Sequence, residues 1–226
     1  KISPFMSIKL WNVIYKKGYL FTKFLYTITG YLRRIFDIFW LNKYDSVYIF
    51  LWVTPIGGSL FERLFCVFCK KIIYDIEDNI LDFNKIPNQV NKNYKFKSKI
   101  IYLLNKADKI ICSSPDLLIR CKKINNKENI FYIPPTLDPK IFNQTKKISN
   151  KSIVTLGWTG TFSSKKHLDY IIPLLEEISK IRKFKIVIIG NFDFKNNILD
   201  YEYIDWKKDT EISDLLKIDI GLYPLL

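Results

Sequence analysis

Short apolar runs alternate with longer segments of helical period along this chain. "DSVYIFLW" (45–52), "KIIYDI" (71–76), "DKIICSS" (108–114) and "NIFYIPP" (129–135) are apolar stretches of strand length, each closed by polar residues or by Pro and Gly. Between them, "SLFERLFCVFCK", "FKSKIIYLLNKA" and "PDLLIRCKK" space their apolar residues by three and four, which predicts helices. The same alternation restarts with "SIVTLGW", a helix over 165–181, "KFKIVIIG", "YEYIDW", "TEISDLLKI" and "DIGLYPL". Leu168, Ile171, Ile172, Leu175 and Ile178 trace one face of the 165–181 helix. Strands that are apolar throughout and joined by helical crossovers predict parallel sheets covered by helices, an α/β fold.

Two such series imply two domains. "NQTKKISNKS" (143–152) is polar, charged and without apolar period, and it is the natural linker. The expected organisation is an N-terminal α/β domain over 1–145 and a second over 151–226. The chain starts without methionine and stops inside the apolar run "GLYPLL", so it is expected to be an internal fragment with both domains incomplete. Ahead of the first strand, "LWNVIYKKGYLFTKFLYTITGYLRRIFDIFW" is helical, aromatic and basic. Two readings of it stand: helices of the core, or helices that meet an anionic membrane surface.

Composition narrows the possibilities further. Lys and Arg number 36 against 22 acids, a net charge of +14, which suits an anionic partner such as a nucleotide, a nucleic acid or a lipid headgroup. A general abundance of Ile, Lys and Asn explains the charge equally well. The lysines are dispersed and no RNA- or DNA-binding signature interleaves them with aromatics, so nucleic acid is not the expected partner. The four cysteines do not make a disulfide framework, and Cys66 and Cys69 in "CVFC" lack a second Cys/His pair, His167 being the only histidine. They are expected as buried thiols in a reducing compartment. No uncharged run is long enough to span a bilayer.

In open parallel sheets, ligands bind beyond the carboxyl ends of the strands. The residues gathered there are 54–58 with Gly57 and Gly58, Glu77 to Asn79 with Asp78, Ser113 and Ser114, Pro134 and Pro135, 157–161, Gly190 and Asn191, and Tyr223 and Pro224. If the two domains face one another, these line a cleft. In "GWTGTFSSKKHL" (157–168), Gly157 and Gly160 allow a tight turn and close approach to the main chain. The helix that follows offers free amides and a positive dipole end, with a serine available as its cap. Lys165 or Lys166 adds full charge. The spacing matches neither of the common glycine-rich phosphate motifs, so a phosphate site and an ordinary capped turn both remain. Glu77 and Asp78 can orient sugar hydroxyls or act as acid or base, or simply cap the following loop. His167 is expected to be exposed and without a role.

These stretches in order resemble the GT-B glycosyltransferases of the family four group. "YDSVYIFLWVTPIGGSLFERLF" with "KIIYDIEDNI" is similar to the central strands of the acceptor domain. "LNKADKIICSSPDLLIRCKK" resembles that family's strand and helix reading "ADxVIxxS". "NIFYIPPTLDPKIF" resembles its "IPNGVDxxxF", and "VTLGWTGTFSSKKHLDYIIPLLEEI", "KIVIIGN" and "EISDLLKIDIGLYPL" resemble the first half of the donor domain. The resemblance implies two Rossmann-like parallel-sheet domains. It also implies a retaining hexosyl transfer from a nucleoside-diphosphate sugar to a glycan or lipid-linked acceptor, in surface polysaccharide or glycolipid synthesis.

By the resemblance, Gly160 and Thr161 face the donor diphosphate, Lys166 neutralises the leaving group, and Gly57 and Gly58 belong to the acceptor-side loop. Glu77 and Asp78 fall where relatives carry "HD" beside the reacting sugar, as the catalytic candidates, with glutamate in place of histidine. No metal or other cofactor is expected, and the location implied is the cytoplasm, at the inner membrane face if membrane-associated. The family's glycine-rich first turn is missing, and its E-x7-E segment would follow Leu226. The chain by itself is therefore expected to be a poor catalyst. The competing class is a nucleotide- or sugar-binding module without catalysis.

Overall fold

The structure is a computed structural model. It describes residues 1–14, 16, 18–77, 80–81, 90–142 and 153–224, the side chains of 90–96 excepted. The chain divides into two compact units, Lys1–Thr136 and Leu137–Leu226. The linker read at 143–152 lies outside the described residues.

The first unit opens with two helices, α1 (Ile8–Ile14) and α2 (Leu20–Ile38), and a short 3-10 turn at Leu41–Lys43. Four parallel strands follow, β1 (Val47–Phe50), β2 (Ile72–Ile76), β3 (Lys109–Cys112) and β4 (Ile130–Tyr132), hydrogen-bonded in that order. The crossovers are α3 (Leu60–Phe68), α4 (Val90–Lys106) and α5 (Pro115–Ile124). The register pairs Val47 with Ile72, Tyr74 with Ile110 and Ile110 with Ile130, so the inward side chains of adjacent strands stack into one core. Tyr74, Ile76, Ile100, Leu103, Leu104 and Ile110 are all wholly buried there. α5 starts as its sequence dictates: the Ser114 hydroxyl accepts from the Leu117 amide at 3.2 Å, and Pro115 fills the first turn, where its missing N–H costs nothing.

The reading of "LWNVIYKK…" as core helices is corrected by the structure. α2 buries Gly30, Arg34 and Asp37 and turns its apolar stripe outward. The inward face is held by polar bonds. Arg34 Nε donates to the Val53 carbonyl at 2.9 Å, Nη1 to Asp37 at 2.6 Å and Nη2 to the Ser3 carbonyl at 2.8 Å. A Cβ on Gly30 would lie 2.8 Å from the Phe5 ring, so glycine is what lets the N-terminal segment lie against the helix. A cavity of about 790 Å³, lined mainly by apolar side chains including Phe5, Trp11, Trp40, Tyr48, Phe50 and Trp52, opens between this segment and β1.

The second unit contains β5 (Val154–Gly160), α6 (Lys165–Ile181), β6 (Phe184–Gly190), β7 (Tyr201–Asp205), α7 (Glu211–Leu215) and β8 (Ile220–Gly221). All pairings are parallel, in the order β7-β6-β5-β8. The chain thus runs outward from β5 through β6 to β7 and returns to the other side of β5. Leu168 and Leu175 of α6 pack with Trp158, Ile186, Ile188 and Phe192, while Ile178, at the far end of the expected face, stays partly exposed. Gly157 is needed for packing as well as turning, because a Cβ there would sit 2.2 Å from the Ile218 side chain. No described helix in either unit is long and apolar enough to cross a membrane.

Candidate functional site

The strand order of the second unit reverses between β5 and β8, and a parallel sheet opens a crevice beyond the carboxyl ends of its strands at such a reversal. β5 ends there at Gly160. A Cβ on Gly160 would stand 2.5 Å from Trp158 Cη2 and 2.6 Å from Ser164 Oγ, so only glycine lets the turn fold over the buried indole. Gly160 pairs with Gly190 across β5 and β6, and the Asn191 side chain accepts from the Phe162 amide at 2.9 Å, fixing the turn to the neighbouring strand end.

The serine expected to cap α6 does something else. Ser164 Oγ accepts from the Thr161 amide at 2.9 Å and donates to the Thr161 carbonyl at 3.0 Å, so it closes the turn rather than covering the helix. Thr161 Oγ1 and Ser163 Oγ lie 2.8 Å apart. No side chain caps α6, a 17-residue helix whose N-terminus carries the positive end of its dipole; of its first amides, that of His167 donates to the Ser164 carbonyl at 2.9 Å. The two lysines separate here. Lys165 is occupied, 2.7 Å from both oxygens of Asp169, whereas Lys166 is exposed and forms no ion pair with a described residue. The structure therefore brings Gly160, Thr161 and Lys166 into one small, electropositive turn. His167 departs from expectation: it is half-buried, and its Nδ1 is shut off from water without a hydrogen-bond partner among the described residues.

The carboxyl edge of the first sheet holds the other candidates. Glu77 is exposed directly after β2, and its carbonyl accepts from Ser113 Oγ at 2.5 Å. Asp78 lies outside the described residues. Gly57 takes a left-handed φ of 83°, which requires glycine, whereas Gly58 sits in open space. Beside Glu77, Tyr48 donates to Asp75; burial, that bond and the carboxylates of Asp75 and Glu77 push its hydroxyl up to about 12. Leu51 holds a left-handed φ of 59° just past β1, with its carbonyl bonded to Tyr74 Oη at 2.9 Å.

Beneath the Gly57 loop is a cluster that the sequence reading missed. Lys99, Glu62 and Thr54 are wholly buried. Lys99 Nζ donates to the Thr54 carbonyl at 2.5 Å, to Thr54 Oγ1 at 3.0 Å and to the Ile56 carbonyl at 3.1 Å. Glu62 Oε1 accepts from the Thr54 amide at 3.3 Å, and Tyr31 Oη donates to the Ile56 carbonyl at 2.7 Å. Burial pushes Glu62 up, with the Lys99 charge opposing it, and burial pushes Lys99 down. The available signal was a lysine placed four residues before Leu103 on the apolar face of α4.

All four thiols are free; Cys112 and Cys121 are buried and Cys66 and Cys69 half-buried. Burial raises Cys66 to about 11 and Cys69 to about 12, so neither is a thiolate at neutral pH. Among the described residues, no three His, Cys, Asp or Glu side chains come together as a metal site.

No family model and no curated protein matches the sequence. The fold does match solved structures. TarM superposes with a TM-score of 0.52 at 14% identity, over 84% of this chain and 39% of TarM. The Gap123 glycosylation-associated protein complex from Streptococcus agalactiae gives 0.44 at 14% identity, over 86% of this chain and 42% of that one. A mutant of S. aureus TarM in complex with fondaparinux, alpha-GlcNAc-glycerol and UDP gives 0.43 at 15%, over 84% and 36%. The likeness to TarM shows the fold: two sheets of parallel strands joined by helices, an α/β fold. This chain spans about two fifths of the length of these structures.

Proposed function

We propose that this chain is part of a retaining glycosyltransferase. It moves a hexosyl group from a nucleoside-diphosphate sugar to a glycan or lipid-linked acceptor in surface polysaccharide or glycolipid synthesis, at the cytoplasmic face of a membrane. The observation that carries the reading is the turn between β5 and α6. Gly160 leaves the main chain approachable, the first amides of α6 have no side-chain cap, and Lys166 forms no ion pair with a described residue, all at the strand-order reversal of a GT-B-like unit. Uncapped amides and an ammonium group together stabilise the negative charge that grows on a departing nucleoside diphosphate, and they do so without a metal ion. Glu77, with Asp78 beside it, is the catalytic candidate, and the loop at Gly57 and Gly58 faces the acceptor.

Titration with UDP and GDP, followed by amide NMR, tests the donor assignment. Shifts are expected at 160–167 and should persist in EDTA. Unchanged amides there at millimolar nucleotide would remove the assignment. Binding without turnover of any nucleotide sugar, in the full reading frame, would instead favour a non-catalytic binding module.

A further inference from the structure

We infer that the outward face of α1 and α2 is a docking surface for an anionic lipid bilayer. Leu20, Phe21, Phe24, Leu25, Ile28, Leu32, Ile35 and Phe36, with Phe39 just past the helix, recur at three- and four-residue spacing and all lie exposed, Leu20 at 79% and Phe21 at 75%. That is one continuous apolar stripe down a 19-residue helix, on the side opposite Gly30, Arg34 and Asp37. Ile8 and Trp11 of α1 and Trp40 beyond α2 are exposed as well. The Arg34 bonds to Val53, Asp37 and Ser3 fix this orientation, so the stripe is presented by a specific anchoring. An apolar surface of this extent on a folded unit marks a binding face.

Charge identifies the occupant. The first 44 residues carry eight Lys and Arg and a single acid, Asp37. Asp37 is buried and paired with Arg34 at 2.6 Å and Lys1 at 3.1 Å, so α1 and α2 themselves present no free carboxylate. Lys9, Lys16 and Lys43 are exposed, and Lys43 Nζ sits 3.9 Å from the centroid of the Trp40 ring. Protein interfaces are depleted in lysine, whereas an apolar, aromatic helix face accompanied by lysines and lacking acids is the composition that lies in the headgroup region of anionic bilayers. α2 does not qualify as a spanning helix, so it lies in the interface plane. The inference rests on the proposed function only for its purpose, which is to bring the transferase to a lipid-linked acceptor. Vesicle binding is measured without donor or turnover, so either reading can fail alone.

The test is co-sedimentation with phosphatidylcholine vesicles and with vesicles containing phosphatidylglycerol, alongside quenching of tryptophan fluorescence by brominated acyl chains. Binding is expected to the anionic vesicles, to weaken with salt, and to quench in the wild type but less in W11F/W40F. F21S/F24S alters only exposed side chains and should melt like the wild type; it is expected to lower partitioning by at least about tenfold. K9E/K16E is expected to lower it by a similar factor on anionic vesicles only. Equal binding to both vesicle types, no binding to either, or binding indifferent to both double variants overturns the proposal. Absence of vesicle binding together with dimers that F21S/F24S abolishes in light scattering would assign the face to a second copy and likewise overturn it.

Discussion

The Lys99 ammonium stands 3.8 Å from the Glu62 carboxylate, and neither side chain keeps any contact with water. Lys99 also takes two backbone carbonyls of the β1–α3 loop, so α4 and α3 together hold the loop that carries Gly57. A buried ion pair gains little net stability over well-packed apolar residues, but removing one partner strands the other charge. Lys99→Met is therefore expected to cost roughly 3–5 kcal/mol in urea unfolding. The double variant K99M/E62L should recover most of that loss. Equal instability of single and double variants would mean that the loop bonds to Thr54 and Ile56, rather than the stranded carboxylate, dominate.

Asp37 supplies a pH dependence with a definite sign. Burial pushes its carboxyl up, but hydrogen bonds from Ser3, Lys1 and Arg34 and the Arg34 charge outweigh burial and hold it below the usual aspartate value. A depressed folded pKa gives stability that is complete above the unfolded value and is lost as pH falls through the folded one. Urea midpoints of the wild type should therefore drop on acidification through and below the usual aspartate range, and those of Asp37→Asn should drop less there. At neutral pH the same variant is expected to lose about 3 kcal/mol, because Arg34 is left buried without its counter-charge. Parallel acid profiles for the two proteins would contradict this account.

Gly160→Ala tests the turn as a steric device. The added methyl would meet Trp158 and Ser164 at 2.5 and 2.6 Å, and the indole is buried, so the turn must move. Overpacking of this kind costs about 1–3 kcal/mol. Because Ser164 also closes the turn on Thr161, displacing it should weaken nucleoside-diphosphate binding along with stability. Gly58→Ala, in open space, is the control and should change neither, as read by thermal melting and calorimetric titration.

Hydrophobic pattern carried most of the architecture. Each apolar run named from the sequence became a strand, and the helix read over 165–181 is α6 to the residue. Periodicity was silent where polar content hid it: α4 begins at Val90, six residues ahead of its apolar part. It also fixes that a helix has a stripe without fixing what the stripe faces, which is why the sequence leaves α2 open between a core helix and a surface helix, and the stripe turns out to face outward. The orientation depends on Arg34 reaching Val53 and Ser3, contacts at sequence separations of 19 and 31 that no local pattern encodes. The same holds for Lys99, whose partners lie 43 and 45 residues away. Within the candidate site, the Gly/Thr/Lys joint was legible because a strand-to-helix turn is local. The division of labour between its two lysines was not, since it depends on where Asp169 reaches.

That division gives the sharpest test of the proposed donor site. Lys165 is tied to Asp169 one turn along α6, and Lys166 is exposed and forms no ion pair with a described residue. A charge-assisted contact to phosphate is worth about 1.5–3 kcal/mol, so Lys166→Ala should weaken UDP binding by roughly 10- to 150-fold with the melting temperature unchanged. Lys166→Arg should retain most of the affinity, since the charge stays at the uncapped helix end. Lys165→Ala removes a surface pair worth about 0.5 kcal/mol or less and should leave binding within about threefold of wild type. Calorimetry on the three variants decides the matter. If Lys165→Ala abolished binding and Lys166→Ala did not, the diphosphate would have to displace Asp169 and sit against the side of the helix, and binding at the helix end would be ruled out.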